Sequence, residues 1–514
     1  MRLSPRQFTV LISICTAALL GGAVAARAQS VPVETDRAVM AEIESHGEIM
    51  TNLTYLSDQI GGRLTGSSAL ARATDWAEAT MKRYGLRNVH REPYAIPEGW
   101  ERGAVTARVV SPQDNLHLTM AAVAWSAGTK GTVHGTVVVW NPRSEAEVDS
   151  YKGKLKNAIV LLSPPQPPAN VLPDRPDESS VDAVFNDHPA PRARMGAGNP
   201  GEAPLPPKVR MAIFRKSFAL FKSERIAATL FDAGRPFGLL TMFGGWQGMG
   251  PLNDTGWPTL ITANGDYALL ARLADAAGKP GGAPVEVELN DSSRRVAGPI
   301  TVYNVVGDLP GSDKPNEFVV LGGHLDSWDL AQGTTDNGTG SCVALESARA
   351  LIAARVKPSR TMRFILFTGE EEGDIGSEAY VKAHVADMPK TSMCLVDDAG
   401  TGRAIGLHTQ AWTAIGPIFT QEAAPSLAAL GFTRIVPGSP IPGGGGGSDH
   451  DSFEEAGTPG FILDQLDANY HLIFHSQQDT LDKADPAALT QTASVLALLG
   501  LHVADLPDLL PRTK

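Results

Sequence analysis

Cysteine is scarce in this chain: Cys15, Cys342 and Cys394 are the three in 514 residues. That excludes a disulfide-stapled scaffold and a Cys-rich zinc module. Positive charge is also in deficit, with 44 Lys and Arg against 56 Asp and Glu and a net charge of −12. A general nucleic-acid binder is thereby excluded. Charged residues make up only 19% and hydrophobic residues 43%, so the chain can bury a sizeable core and is not a disordered polar tail. There is no internal repeat, and the 52 Gly and 37 Pro follow no collagen-like period. Beyond the first thirty residues, no segment reads as long and apolar enough to span a bilayer. The length suggests two or three domains, or one large domain carrying an insertion.

At the start, Arg2 and Arg6 precede an uncharged, mostly apolar stretch from Phe8 to Ala25. Ala26-Arg27-Ala28 then supplies small residues at the two positions a signal peptidase reads. Residues 1–28 are expected to be a signal peptide and the protein to be periplasmic or secreted. Its loss would remove Cys15 and three arginines, leaving a more acidic chain. Cys342 and Cys394 lie in apolar segments and are expected to be buried free thiols.

Residues 37–100 read as helical, with one helix expected from Ser68 to Tyr84 and stopped by Gly85. From 101 the texture changes. Strands are expected at 103–110, 131–140, 158–162, 236–243 and 285–289, and helices at 218–234 and 264–277. Residues 164–207, rich in Pro, Asp, Ala and Gly, read as a long surface loop. From 297 the pattern alternates. Strands are expected at 300–308, 316–322, 361–367, 392–397 and 460–464, and helices at 341–355, 377–386, 412–430 and 486–504. Such alternation argues for a mixed, mainly parallel sheet covered by helices on both faces.

The chemistry-bearing residues sit at the ends of these strands. A buried run, Phe318 to Leu321, ends in Gly322-Gly323 and presents His324 and Asp326. In open α/β sheets, ligands collect outside the carboxyl ends of strands. His324 is therefore well placed as a metal ligand, and Asp326 could accept its other ring N–H. Asp336, in Thr335-Asp336-Asn337-Gly338-Thr339-Gly340, lies just before a helix and reads either as a helix cap or as a ligand. Glu370-Glu371-Glu372 follow another buried strand, where adjacent carboxylates call for a cation or for protons. Asp397-Asp398 repeat the theme, and His475 precedes a polar turn and a helix. His450 and His471 are intermediate cases.

This ordered set, HxD, TDNGTG, TGEEEG, VDDAG and HSxxDT, resembles the co-catalytic zinc exopeptidases of metallopeptidase family 28 (clan MH). The similarity covers roughly residues 37–100 and 299–510. It implies a mixed, mainly parallel α/β sheet of the phosphorylase/hydrolase-like type. In that layout residues 29–100 and 299–514 form the catalytic domain, and a protease-associated-type domain is inserted at 101–298. It also implies two Zn2+ per chain. His324 and Glu371 would hold one ion, Asp398 and His475 the other, and Asp336 would bridge them. Glu370 would be the general base and Asp326 would orient His324. The Asp336–Asn337 peptide bond would be cis. Ser448, Asp449 and His450 resemble a segment near the substrate, and the run Gly443–Gly447 would form a mobile loop at the pocket rim. The implied reaction is hydrolysis of terminal peptide bonds of short peptides by a metal-bound hydroxide, with a homodimer as the common assembly and no membrane span after cleavage. Aminopeptidase and dipeptidase or carboxypeptidase preference stay open. A single-zinc glutaminyl cyclase and a metal-free receptor-like binding protein are the rival readings.

Overall fold

The computed structural model describes residues 32–168, 199–242, 255–422, 424–438 and 447–513. The expected signal peptide, most of the loop expected at 164–207, and glycines 443–446 lie outside the described residues.

The C-terminal half is organised by one eight-stranded sheet. Its order is Arg87–Ile96, Ile300–Leu309, Arg360–Phe367, Lys314–His324, Thr391–Val396, Gly460–Gln465, Ala404–His408 and Arg434–Val436. The four strands Arg360–Phe367, Lys314–His324, Thr391–Val396 and Gly460–Gln465 run parallel at its centre. Antiparallel strands flank them on either side. Alternate residues of the central strands are apolar on both faces. Leu321, Phe364, Leu395 and Leu463 pack with the helices Thr339–Ala353 and Pro486–Asp505. Val320, Phe367, Val396 and Ile462 pack on the other face with Tyr380 and Phe453. Two-sided burial is what a parallel sheet covered by helices requires. Gly322 has no alternative there, since a Cβ would meet the Ile365 carbonyl oxygen at 2.2 Å.

The helix Ser68–Tyr84 is bounded as expected. Ser67 Oγ accepts from the Leu70 N–H, and Gly85 ends it at φ 93°, a left-handed turn that glycine adopts freely. Cys342 and Cys394 are buried and unpaired. Pro486–Asp505 corrects one expectation: it is long and apolar enough to cross a membrane. It is instead packed into the core, with 83% of its apolar window buried.

A second eight-stranded sheet is built from residues between 105 and 291. The segments entering and leaving it, Gly99–Glu101 and Arg294–Val296, pair antiparallel, so the chain departs from and returns to the first sheet at one place. Here several expectations fail. Residues expected as helix 218–234 divide into the helix Pro207–Glu224 and the strand Ala228–Asp232. The strand expected at 236–243 is reduced to one bridge between Thr241 and Ser476, and Phe243 lies outside the described residues. Elsewhere Arg87–Ile96 is a strand rather than helix. The stretch expected as one helix over 412–430 holds two, Ile415–Glu422 and Ala424–Ala429.

Candidate metal centre

The carboxyl ends of the parallel strands converge on one cluster of acids and histidines. His324 closes its strand, is fully buried, and has its backbone oxygen bound by Ser341 Oγ at 2.7 Å. Glu370 and Glu371 follow Phe367, Asp398 follows Val396, and His475 lies in the loop after Gln465. Asp336 joins them from the turn before the helix Thr339–Ala353, and the Asp336–Asn337 bond is cis. Of the five expected metal ligands, all are gathered here.

The contacts divide them differently from the expected pairing. His324 Nε2 lies 3.1 Å from Asp398 Oδ1 and 3.4 Å from Asp336 Oδ1. His475 Nε2 lies 3.0 Å from Glu371 Oε2 and 3.2 Å from Asp336 Oδ2. Asp336 thus stands between two histidines, but His324 goes with Asp398 and His475 with Glu371. Lys314–His324 lies between Arg360–Phe367 and Thr391–Val396, so both acids are within reach of its end; His475 meets Glu371, and His324 meets Asp398. Looser groupings within 4.8 Å also join His324 with Glu370 and with Glu371. The contacts near 3 Å define the tighter division.

Asp326 meets the His324 ring through its backbone. The His324 ring Nδ1 lies 3.1 Å from the Asp326 backbone oxygen, while the carboxylate stands at 3.6 Å, too far for a hydrogen bond. Its Oδ2 instead accepts from Thr65 Oγ1 at 3.0 Å.

The electrostatics are those of crowded acids in a dry site. Burial, with Asp336 adding, pushes Glu371 up to about 7 against the pull of His475. Burial and the adjoining Asp398 push Asp397 up to about 8. Burial also lifts Glu370 well above the carboxylate range, His324 opposing and Asp398 adding. Asp336 is buried as well, yet its two histidines hold it below that range. Burial lowers His475, but Glu371 and Asp336 outweigh it and raise it to about 9. Both oxygens of Asp397, Glu372 and Asp449 are buried without a hydrogen-bond partner. Buried, unpartnered carboxylates are costly unless neutralised or bound to metal. Imidazole and carboxylate donors without thiolate suit a zinc that keeps an open position, so the residues fit the expected ions.

Three further residues belong to the arrangement. Asp479 accepts from Thr335 N at 2.6 Å, Thr335 Oγ1 at 2.8 Å and Asp336 N at 3.2 Å, fixing the turn that carries Asp336. Its position in the HSxxDT motif was a signal for it. Asn337 bonds the Asp397 backbone oxygen at 2.8 Å. Arg63 is fully buried and binds four carbonyls: Leu325 at 2.6 Å, Gly333 at 2.7 Å, Gln332 at 2.8 Å and Gly61 at 3.1 Å. It ties the His324 strand end to the Asp336 turn, and nothing local in the sequence marks it. Ser448, Asp449 and His450 are fully buried beside the cluster; Asp449 is within electrostatic reach of His324, Asp326 and Asp374. His450 contacts Gln410 and Asp451, and His471 binds Asp467, so neither enters the ligand set.

Residues 304–499 match the model for peptidase family M28. Carboxypeptidase Q from Bos taurus is 27% identical over 465 residues, covering 90% of this chain and 86% of that protein. A peptidase M28 precursor from Shewanella amazonensis SB2B superposes with a TM-score of 0.68 at 23% identity, over 94% of this chain and 98% of that one. BSAP, a zinc aminopeptidase from Bacillus subtilis, gives 0.55 at 18% identity, over 88% and 93%. The two structures speak for the fold, a mixed α/β sheet with helices on both faces. Over residues 304–499 the chain is thus similar to peptidase family M28 and carries the motifs of a metallo-exopeptidase.

Proposed function

We propose that this protein is an exported two-zinc exopeptidase that hydrolyses terminal peptide bonds of short peptides. One ion would be held by His324, Asp398 and Asp336, the other by His475, Glu371 and Asp336. The observation that carries this reading is Asp336 itself, whose two oxygens face two different histidines at 3.4 and 3.2 Å. When bound, zinc supplies a Lewis acid for the peptide carbonyl and lowers the pKa of water.

Glu370 is the general base in this reading. Its carboxylate keeps 12% exposure and approaches His324 no closer than 3.7 Å, so it is left free to take a proton from water and return it to the leaving amine. Its raised affinity for protons suits that exchange. Ser448, Asp449 and His450 would shape the wall on which the substrate is seated. Residues 29–100 and 299–514 form the catalytic domain in this account, and 101–298 a protease-associated-type insert. Residues 1–28 would direct export. Similarity to carboxypeptidase Q supports short peptides with free termini as substrates.

The test is a chelator-controlled assay on Leu-p-nitroanilide beside unmodified dipeptides. Turnover of either class that vanishes on chelation and returns with zinc supports the reading. Full activity in metal-free protein refutes it.

A further inference from the structure

The segment following the insert's strand Ala228–Asp232 turns away from its own sheet and runs along the loop that carries His475. Met242 N donates to the His475 backbone oxygen at 2.8 Å. Thr241 forms an antiparallel bridge with Ser476. Gln477 is gripped twice: its Oε1 accepts from Leu240 N at 2.8 Å and its Nε2 donates to the Gly238 oxygen at 3.1 Å. Arg235 donates to the Leu472 oxygen and, at 3.4 Å, to that of His471.

Two observations set these bonds apart from ordinary packing. The Arg235 side chain is 2% exposed, and no carboxylate among the described residues pairs with it. A buried guanidinium without a counter-charge is costly, and its bonds here go to the His475 loop. His475 itself sits at φ 55°, in a region that side-chain-bearing residues seldom occupy and that surrounding structure must impose. The insert reaches the same ligand from a second side. Trp125 packs on Trp328, whose ring meets the His475 ring at 5.9 Å and whose backbone N–H donates to Glu371 Oε1 at 3.0 Å. His324, in contrast, is held by the main sheet and by Ser341.

We propose that the segment from Arg235 to Met242 is a positioning element for His475, so that the insert sets the affinity of one zinc site and leaves the other untouched. This rests on the two-zinc reading above. Loss of partners that orient a ligand typically weakens metal binding by about 10- to 100-fold. The insert would therefore couple the metal content of the centre to its own docking.

The test compares Arg235→Met, Arg235→Lys and Gln477→Ala with the wild type, by chelator competition for zinc and by visible absorption of the Co2+ form. Arg108→Ala, on the far side of the insert where Arg108 pairs with Glu288, serves as control. Expected are one site of wild-type affinity and one weakened about 10- to 100-fold in Arg235→Met and Gln477→Ala, recovery in Arg235→Lys, and no change in the control. Unchanged binding at both sites in Gln477→Ala, or equal weakening of both, overturns the proposal while leaving the peptidase reading intact. Fewer than two ions in the wild type overturns the two-zinc reading itself. Gln477→Ala carries the test alone if Arg235→Met does not fold.

Discussion

Arg63 gives the sharpest test of how the centre is built. Its guanidinium binds four backbone oxygens, three in the segment that joins His324 to the Asp336 turn and one, Gly61, in the turn after Tyr55–Ile60. Substitution by Met keeps the volume roughly and removes all four bonds. A hydrogen bond from a charged donor contributes about 1.5–3 kcal/mol, so the gross loss is about 6–12 kcal/mol. Several kcal/mol return because a buried cation no longer has to be desolvated. The net cost is about 3–5 kcal/mol, a large part of the ~5–15 kcal/mol that holds a typical domain. Arg63→Met is therefore expected to fold, with the main-sheet transition moved strongly to lower urea and with both zinc sites weakened, because the loops bearing His324 and Asp336 lose their tie. Arg63→Lys, which keeps the charge but not the fork, falls between. Urea unfolding of chelator-treated protein, followed by circular dichroism, checks this. A change within about 0.5 kcal/mol, the size of an ordinary surface substitution, would refute the reasoning.

Glu370→Gln is expected to keep both zinc ions and lose turnover by about 10²- to 10⁴-fold, measured by metal content beside kcat on a dipeptide. Gly340→Ala puts a Cβ 2.0 Å from the Asp397 oxygen and 2.5 Å from Asn337 Oδ1. It should cost at least about 1–3 kcal/mol and lower zinc affinity as well. Away from the centre, His384 Nε2 binds both oxygens of Glu92, at 2.9 and 3.0 Å. The bond to Glu92 raises His384 above its ordinary 6.5. Burial opposes, but His384 and His90 hold Glu92 below its ordinary 4.5. His384's contribution is complete below pH 6.5 and fades as pH rises through its raised value. That of Glu92 is complete above 4.5 and fades as pH falls through its lowered value. The melting-temperature gap between wild type and Glu92→Gln should thus be widest between those two pH values and shrink on either side. A gap that does not vary with pH would count against the pair.

The catalytic half was legible because its signals are local. Buried runs such as Phe364–Phe367 end in glycines and acids, and three such ends, with the turns bearing Asp336 and His475, point to one edge of a parallel sheet. Gly85 bounded a helix for the same reason. The insert was harder to read. Pro207 opens a helix inside a proline-rich stretch, so the helix was expected too late, and the five-residue strand Ala228–Asp232 was absorbed into it. What the sequence could not convey was pairing across space. His324 meets Asp398, and His475 meets Glu371, contacts between residues far apart in the chain. Arg63 and Arg235 act mainly on backbone oxygens far along the chain, which leave no pattern around them.

The most direct measurement is a crystal structure of zinc-loaded protein with anomalous scattering at the zinc edge. Two peaks sharing Asp336, one beside His324 and Asp398 and one beside His475 and Glu371, are expected. A single peak, or ions bound away from Asp336, would contradict the account.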